Sequence, residues 1–361
     1  MATVVEKPRI VQLADLIQDD IRHRGLQPGD AYLTVVETAR MLHVNTSAVN
    51  SALQLLAQRG ILERKPRKGA CVARRKTRAS GPSVKRVHLV VHRAFLRTEG
   101  MLVDGTIVGL QRVLPAADIQ FNFAPPDGDE AYIDELITQA RRSPAPEGFV
   151  LVRSTLLVQR RMAESGLPVV IAGSRFPSIT GLPWVDRDQR RAGAMLTEHV
   201  VGRGHRKVVV LLRERTGPGD AAFLEGVTDV LGAAGMPIKA FAVRNLPADE
   251  AAVQAEVEGL LTEGGGWGIV ARNELLALGA ARAVENRGQI PGRDVAITIA
   301  DVYRRGAENP PMFPYIRSVL NAEEIGTHLG RLLAEQACGL RPAPDHEIIG
   351  VSLVMPDAKV P

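Results

Sequence analysis

Apolar positions recur along this chain with two different periods, and the change between them near residue 87 divides it. Before that point the period is helical. Ile10, Leu13, Ile17 and Ile21 share one face of a helix predicted over about residues 9–24, and the run Gly25-Leu-Gln-Pro-Gly-Asp30 then supplies turn residues. Residues 34–44 read as a second helix. Asn45 and Thr46, both N-cap residue types, precede a stripe at Val49, Leu53 and Leu56 that predicts a third. Gly60 stops it, and residues 61–73 read as a basic hairpin. Residues 74–86 show no apolar period and contain Ser, Gly and Pro, so they read as a linker.

From residue 87 short apolar runs alternate with amphipathic segments. Strands are predicted over 87–91, 119–123, 148–152, 168–172, 207–212, 240–243, 268–271 and 295–299. Helices are predicted among them, over 102–114, 130–142, 157–165, 190–202, 221–235, 250–263 and 274–287. Such alternation implies parallel sheets covered on both faces. The expected fold class is therefore α/β: two doubly wound lobes in series, each of about five strands, behind a small N-terminal head. A ligand of such lobes sits at the carboxyl ends of the strands, in the cleft between them.

The order helix, turn, helix, hairpin over residues 34–73 is that of a winged helix-turn-helix, which points to DNA. Opposite the apolar stripe stand Ser47, Asn50, Ser51 and Gln54, short or amide side chains able to meet base edges in a major groove. Charge follows the same division. Residues 1–86 hold 16 Lys/Arg against 7 Asp/Glu, whereas the remaining 275 hold 29 against 33. Ten of the basic residues fall within 64–86, where no acid stands. A basic end on an acidic body is a local footprint for phosphates.

A length of 361 residues gives two or three folding units with ample core. The two cysteines, Cys71 and Cys338, lie far apart and outside any metal-ligand spacing, which argues for a reducing compartment and against a disulfide framework or zinc site. The N-terminus lacks a signal-peptide pattern and no apolar run is long enough to span a bilayer, so a soluble cytoplasmic protein with no membrane partner is expected.

Two resemblances add to this reading. Pro28-Gly-Asp30, Glu37, Ala39, Leu42, Val44, Val49, Ala52-Leu53, Leu56, Gly60-Ile-Leu-Glu-Arg64 and Gly69 fall in the pattern of the GntR-type winged helix. Residues 87–355 resemble the effector domain of LacI/GalR-type regulators, which is similar to periplasmic sugar-binding proteins of the type I fold. The matching stretches are Leu167-Pro-Val-Val-Ile, Val185-Asp186 with Ala192-Gly193, Gly204-His-Arg-Lys-Val208, Gly226, Ala271-Arg-Asn273 with Ala277-Leu-Gly279, and Ile290-Pro with Asp294-Val through Asp301. A GntR head on a LacI-like body is also the architecture of the arabinose-repressor branch. The resemblance implies a DNA-binding domain at 1–73, a basic linker at 74–86 and a two-lobed effector-binding and dimerisation domain at 87–355.

It further implies a repressor acting as a homodimer on a pseudo-palindromic double-stranded operator, with a small-molecule effector, a sugar or sugar derivative, between the lobes. Thr34, Asn45, Thr46, Ser47 and Asn50 are the expected groove contacts, and Arg64, Lys65, Arg67 and Lys68 the phosphate or minor-groove contacts. Asp186, Asn273 and Asp301 match positions that face the cleft in the family, and all three side chains can bond hydroxyl groups. Arg93 and Arg175 follow strands and are candidates for an anionic group.

The pattern is broken in places. The usual Pro-Ser-Glu-Arg before the first helix of the motif is here Leu33-Thr-Val-Val36, and Thr46 and Asn50 replace arginines of the recognition helix. Each bidentate guanine contact so lost is worth about 1–3 kcal/mol of discrimination, while Asn50 suits adenine and so an AT-richer operator. Phe223 stands where related sugar-responsive regulators place an arginine three residues before the glycine matching Gly226; it either stacks on a ligand or belongs to the core. These departures leave a second reading, a non-specific nucleic-acid binder with a ligand-sensing module. No catalytic constellation is present, since Gly202-Arg-Gly204 and Gly264-Gly-Gly266 lack a phosphate-loop continuation and the eight histidines show no metal spacing. The chain is expected to be no enzyme and to need no cofactor or metal.

Overall fold

The computed structural model describes residues 9–26, 29–58, 61–65, 69–72, 84–93, 104–125, 129–262, 264–302, 311–340 and 345–356. It divides into two compact units, Met1–Gly81 and Pro82–Pro361. In the first, helices Arg9–His23, Val35–Met41 and Thr46–Gln58 precede β1 (Leu62–Lys65) and β2 (Gly69–Val72), which pair antiparallel with Leu62 opposite Val72. Val49, Leu53 and Leu56 bury against Leu13, Ala14, Ile17 and Ile21, and Leu62 and Ala70 of the hairpin close the same core. Ile10 departs from the expected face. It is 42% exposed, because the core begins one turn further along the helix. Buried Tyr32 donates its hydroxyl to Asp20 Oδ2 at 2.9 Å, tying the following loop to the first helix.

Among the described residues the second unit holds two six-stranded sheets. Strands β3 (Arg86–His92), β4 (Asp118–Ala124), β5 (Glu147–Val152), β6 (Val169–Ala172), β7 (Trp184–Arg187) and β13 (His346–Ile349) form one, in the order β13-β7-β6-β5-β3-β4 and wholly parallel. Strands β8 (Lys207–Arg213), β9 (Phe241–Leu246), β10 (Trp267–Asn273), β11 (Ile297–Asp301), β12 (Tyr315–Ser318) and β14 (Val351–Val354) form the other, in the order β14-β12-β11-β10-β8-β9. Only β12 and β14 pair antiparallel there. Period-two alternation serves two cores at once: Val209 and Leu211 of β8 face one, Val208, Val210 and Leu212 the other.

The lobes are interleaved, which corrects the expectation of two consecutive units of about five strands. The chain crosses after β7, where helix Gln189–Gly202 packs into the second lobe through Ala192, Leu196 and Val200. It crosses back after β12, where helix Ala322–Ala337 brings Leu329, Leu332 and Leu333 into the first lobe's core. A third crossing separates β13 from β14. At each crossing the chain passes from the core of one lobe to that of the other.

Glycines let the crossing helices approach. A Cβ on Gly226, in helix Pro218–Ala233, would collide with the carbonyl oxygen of Arg190, and one on Gly326 with that of Thr106. Gly232, on the same helix as Gly226, has open space around it. Gly226→Ala is accordingly expected to lower stability by about 1–3 kcal/mol or more. Gly232→Ala should raise it by about 0.5–1 kcal/mol. Urea unfolding of both variants checks the pair; equal effects would contradict this packing.

Candidate functional site

In the first unit, Thr46, Ser47 and Asn50 are exposed on helix Thr46–Gln58 while Val49 between them is buried. Asn45 Oδ1 accepts from the Ala48 amide at 2.8 Å, starting that helix. Thr34 starts the previous one: its hydroxyl accepts from the Glu37 amide at 3.3 Å, and Glu37 Oε2 accepts from the Thr34 amide at 2.8 Å. The Thr34 amide, together with the Thr34 hydroxyl that also donates to Glu37 Oε2 at 2.8 Å, holds the Glu37 carboxyl below the ordinary carboxylate range. Thr34 and Asn45 thus do capping work, and the face offered to solvent is that of Thr46, Ser47 and Asn50. Arg64 and Lys65 lie on β1. Arg67 and Lys68 lie outside the described residues, as do residues 74–83 of the expected linker. Arg86, expected in that linker, instead begins β3 and pairs with buried Glu147 at 2.7 Å.

In the second unit a cavity of about 1360 Å³ opens between the lobes, walled by residues at or just beyond the carboxyl ends of β3, β5, β6, β7, β8, β10 and β11. That is where parallel sheets leave backbone and loops free to meet a ligand. Asp301, the last residue of β11 and only 3% exposed, is its hub. Arg187 pairs with its Oδ1 and Arg213 with its Oδ2. Arg272 Nη1 lies 3.3 Å from Oδ1, and Arg153 Nη2 3.5 Å from Oδ2. Arg153 and Arg187 come from the first sheet and its end, Arg213 and Arg272 from the second, so one carboxylate gathers guanidiniums across the cleft. Arg153 has the left-handed backbone (φ 51°), a conformation costing a side-chain-bearing residue on the order of 1–3 kcal/mol.

A second layer fixes the hub. Arg272 Nε donates to Asp220 Oδ1 at 2.6 Å and its Nη2 to Gln189 Oε1 at 2.9 Å, while its guanidinium lies over the Phe223 ring, 4.8 Å from the centroid. Gln189 Nε2 in turn donates to Asp186 Oδ1 at 3.0 Å, and Ser174 Oγ donates to Asp186 Oδ2. Burial alone would raise the Asp301 carboxyl, but the charges of Arg272, Arg187, Arg213 and Arg153 outweigh it and hold it well below the carboxylate range. Burial likewise acts to lower Arg272, and Asp301 and Asp220 more than reverse it. On the cavity wall, burial holds the His92 imidazole below its ordinary value; Asp129 opposes that effect and Arg215 adds to it.

Of the ligand candidates read from the sequence, Asp186 and Asp301 line this cavity. Phe223 is fully buried as the platform under Arg272. Asn273 is buried as the N-cap of helix Glu274–Asn286, its Oδ1 accepting from the Leu276 amide at 3.0 Å. Arg175 donates to the Leu182 carbonyl and to Asp345, each at 2.8 Å, and exposed Arg93 follows β3; neither belongs to the cavity wall. Arg153, Arg187, Arg213 and Arg272 escaped the sequence reading. Their common signal is position, each being the last residue of a parallel strand or within one residue of its end.

Residues 125–305 match the model of the periplasmic binding proteins and sugar binding domain of the LacI family, and residues 9–72 that of the gntR family of bacterial regulatory proteins. An uncharacterized HTH-type transcriptional regulator of Streptomyces limosus is 28% identical over 181 residues, 49% of this chain and 50% of its own length. The chain thus spans about half the length of that curated relative. The structure of a transcriptional regulator CelR–cellobiose complex superposes with a TM-score of 0.63 at 17% identity, covering 90% of this chain and 99% of that one. The regulator GntR of Chromobacterium violaceum gives 0.59 at 22% identity over 75% of this chain and 98% of that one. A LacI family regulator of Enterococcus faecium with bound ribose gives 0.58 at 18%, over 75% and 97%. At these identities the likeness establishes the fold. No helix among the described residues is long and apolar enough to cross a membrane.

Because its folded pKa is depressed, Asp301 contributes stability that is present above the unfolded carboxylate value and is lost as pH falls through the folded one. Asp301→Asn leaves buried arginines uncompensated and should lower stability by about 3–5 kcal/mol at neutral pH. The gap to the wild type should close as pH falls below about 4. Denaturant unfolding of both proteins across that range checks it; a constant gap would contradict the account.

Proposed function

Since the chain belongs to the LacI-type family of periplasmic binding proteins and sugar-binding domains and carries a gntR-family head, we propose that it is a ligand-responsive transcription factor. It acts as a homodimeric repressor in the cytoplasm. Its winged heads, residues 1–73, bind the half-sites of a pseudo-palindromic operator, the linker at 74–86 adds phosphate contacts, and residues 87–355 bind a sugar-like effector and dimerise. The observation that carries this reading is the union, in one chain, of that head with a wide cleft at the carboxyl ends of the parallel strands of two sheets. Structural neighbours with cellobiose and ribose support a carbohydrate-like effector. The chain performs no catalysis in this reading.

Thr46, Ser47 and Asn50 read base edges from the exposed side of helix Thr46–Gln58, with Thr34 and Asn45 at the groove's edge. Arg64, Lys65, Arg67 and Lys68 hold phosphates. The effector changes operator affinity only through its different affinities for two arrangements of the lobes. The crossing strands are where such a change is absorbed.

Selection of bound sequences from a random DNA pool by the full-length protein tests this. One enriched palindrome is the expected result. Unpatterned DNA bound with a steep salt dependence would replace the regulator by a non-specific binder, a reading to which the ten basic residues of 64–86 lend weight. On the enriched site, Lys68→Ala should flatten the log–log salt slope by about 1.8, the release expected for one phosphate contact from each of the two heads. An unchanged slope would remove the wing from the interface.

A further inference from the structure

Resting on the reading of the interlobe cleft as the effector site, we infer that its ligand carries an anionic group, a carboxylate or phosphate, seated between Arg153 and Arg187 in place of the Asp301 carboxylate. The charges on the wall point this way. Among the described residues the cavity is lined by six arginines, Arg153, Arg187, Arg213, Arg215, Arg272 and Arg317, against the four carboxylates Asp186, Asp220, Asp301 and Glu324.

Among the described residues, no ion pair joins Asp186, Asp220 or Glu324 to guanidiniums of both lobes; Asp220 pairs only with Arg272 and Arg213 of the second. Asp186 accepts from Ser174, from Gln189 and from the Arg187 amide. Asp220 accepts from the Gly217 amide at 2.7 Å and from Arg272, and Glu324 closes the capping box of Asn321. Asp301 alone answers guanidiniums from both lobes, and its two oxygens are divided among four of them.

Helix starts add to the positive field. Helices Leu156–Glu164, Pro218–Ala233 and Ala322–Ala337 all begin at the cavity wall, through Leu156, Pro218 and Ala322. A neutral polyol entering here would offer hydroxyl acceptors but no charge to match the excess of arginines over carboxylates on the wall. An anion answers it with the paired oxygens that guanidinium groups bind best. Exchange is favoured at Arg153 and Arg187, which are 28% and 20% exposed, while Arg213 and Arg272, at 10% and 4%, remain with Asp301 and Asp220. The bridge between lobes would then run through the ligand. Ser174 and Gln189, which also line the cavity, are placed to bond hydroxyls on the rest of it.

The test uses the full chain and matched probes at equal ionic strength: glucose with glucose 6-phosphate, galactose with galacturonate, and inorganic phosphate alone. Thermal unfolding and calorimetry read binding. Anionic members are expected to raise the midpoint where their neutral parents do not. Arg187→Gln and Arg153→Gln should each weaken that binding about tenfold or more, and Arg282→Gln, on an exposed helix face, should leave it intact. Should Arg187→Gln not fold, Arg153→Gln, at the more exposed rim, decides alone. The inference is overturned if a neutral parent binds as well as its anion, if no anion binds, or if binding survives in the cleft variants. Failure of the same preparation to select any DNA would strike the regulator reading and leave the anion result standing.

Discussion

The second unit depends on a single carboxylate shared by arginines from two lobes. Asp301 is almost wholly buried, and a lone charge there would be expelled by the cost of losing its water. It stays ionised because Arg187 and Arg213 touch it and Arg272 and Arg153 stand close by. The dependence is mutual, since Arg272 is as buried as the carboxylate it serves. Its Nε, Nη1 and Nη2 reach three different partners and its face lies on Phe223. A hub of this kind contributes little net stability but forbids most alternatives, because any shift of one lobe against the other strands charges in a low-dielectric space.

Topology puts the hub where it is. Parallel strands of both sheets point their carboxyl ends at the same space, and three crossings keep those ends facing while the cores stay separate. Arg187 sits at the first crossing itself, as the last residue of β7 and one residue before Asp188, which caps the helix that enters the second lobe. A charge at that point senses both lobes. Glycines at the helix crossings make the interleaving sterically feasible, for instance Gly193 against the backbone of Phe223.

Much of this was legible in the sequence and some was not. Long apolar runs such as Lys207–Arg213 and Trp267–Asn273 announced buried parallel strands, and amphipathic helices between them announced the layers. The strands Trp184–Arg187, Tyr315–Ser318, His346–Ile349 and Val351–Val354 carry little signal in the sequence, being four residues long with at most one fully buried side chain each. Without them the lobes looked consecutive. Asp186 and Asp301 stood out as carboxylates at strand ends. The arginines did not, because a chain with 45 Lys and Arg hides four of them until the strand ends are known. Phe223 stands out in the sequence only for the residue it replaces, and its role follows from its partner, the Arg272 guanidinium.

The distance between the lobes is the quantity that the hub controls. Spin labels at Gln111 of the first lobe and Ala233 of the second, both exposed, would report it by pulsed dipolar spectroscopy in a background with exposed Cys338 replaced by serine. With Asp301 in place one narrow distance distribution is expected, and in Asp301→Asn, verified as folded by circular dichroism, a broader one centred at longer distance. Superimposable distributions would contradict the claim that this carboxylate holds the lobes together.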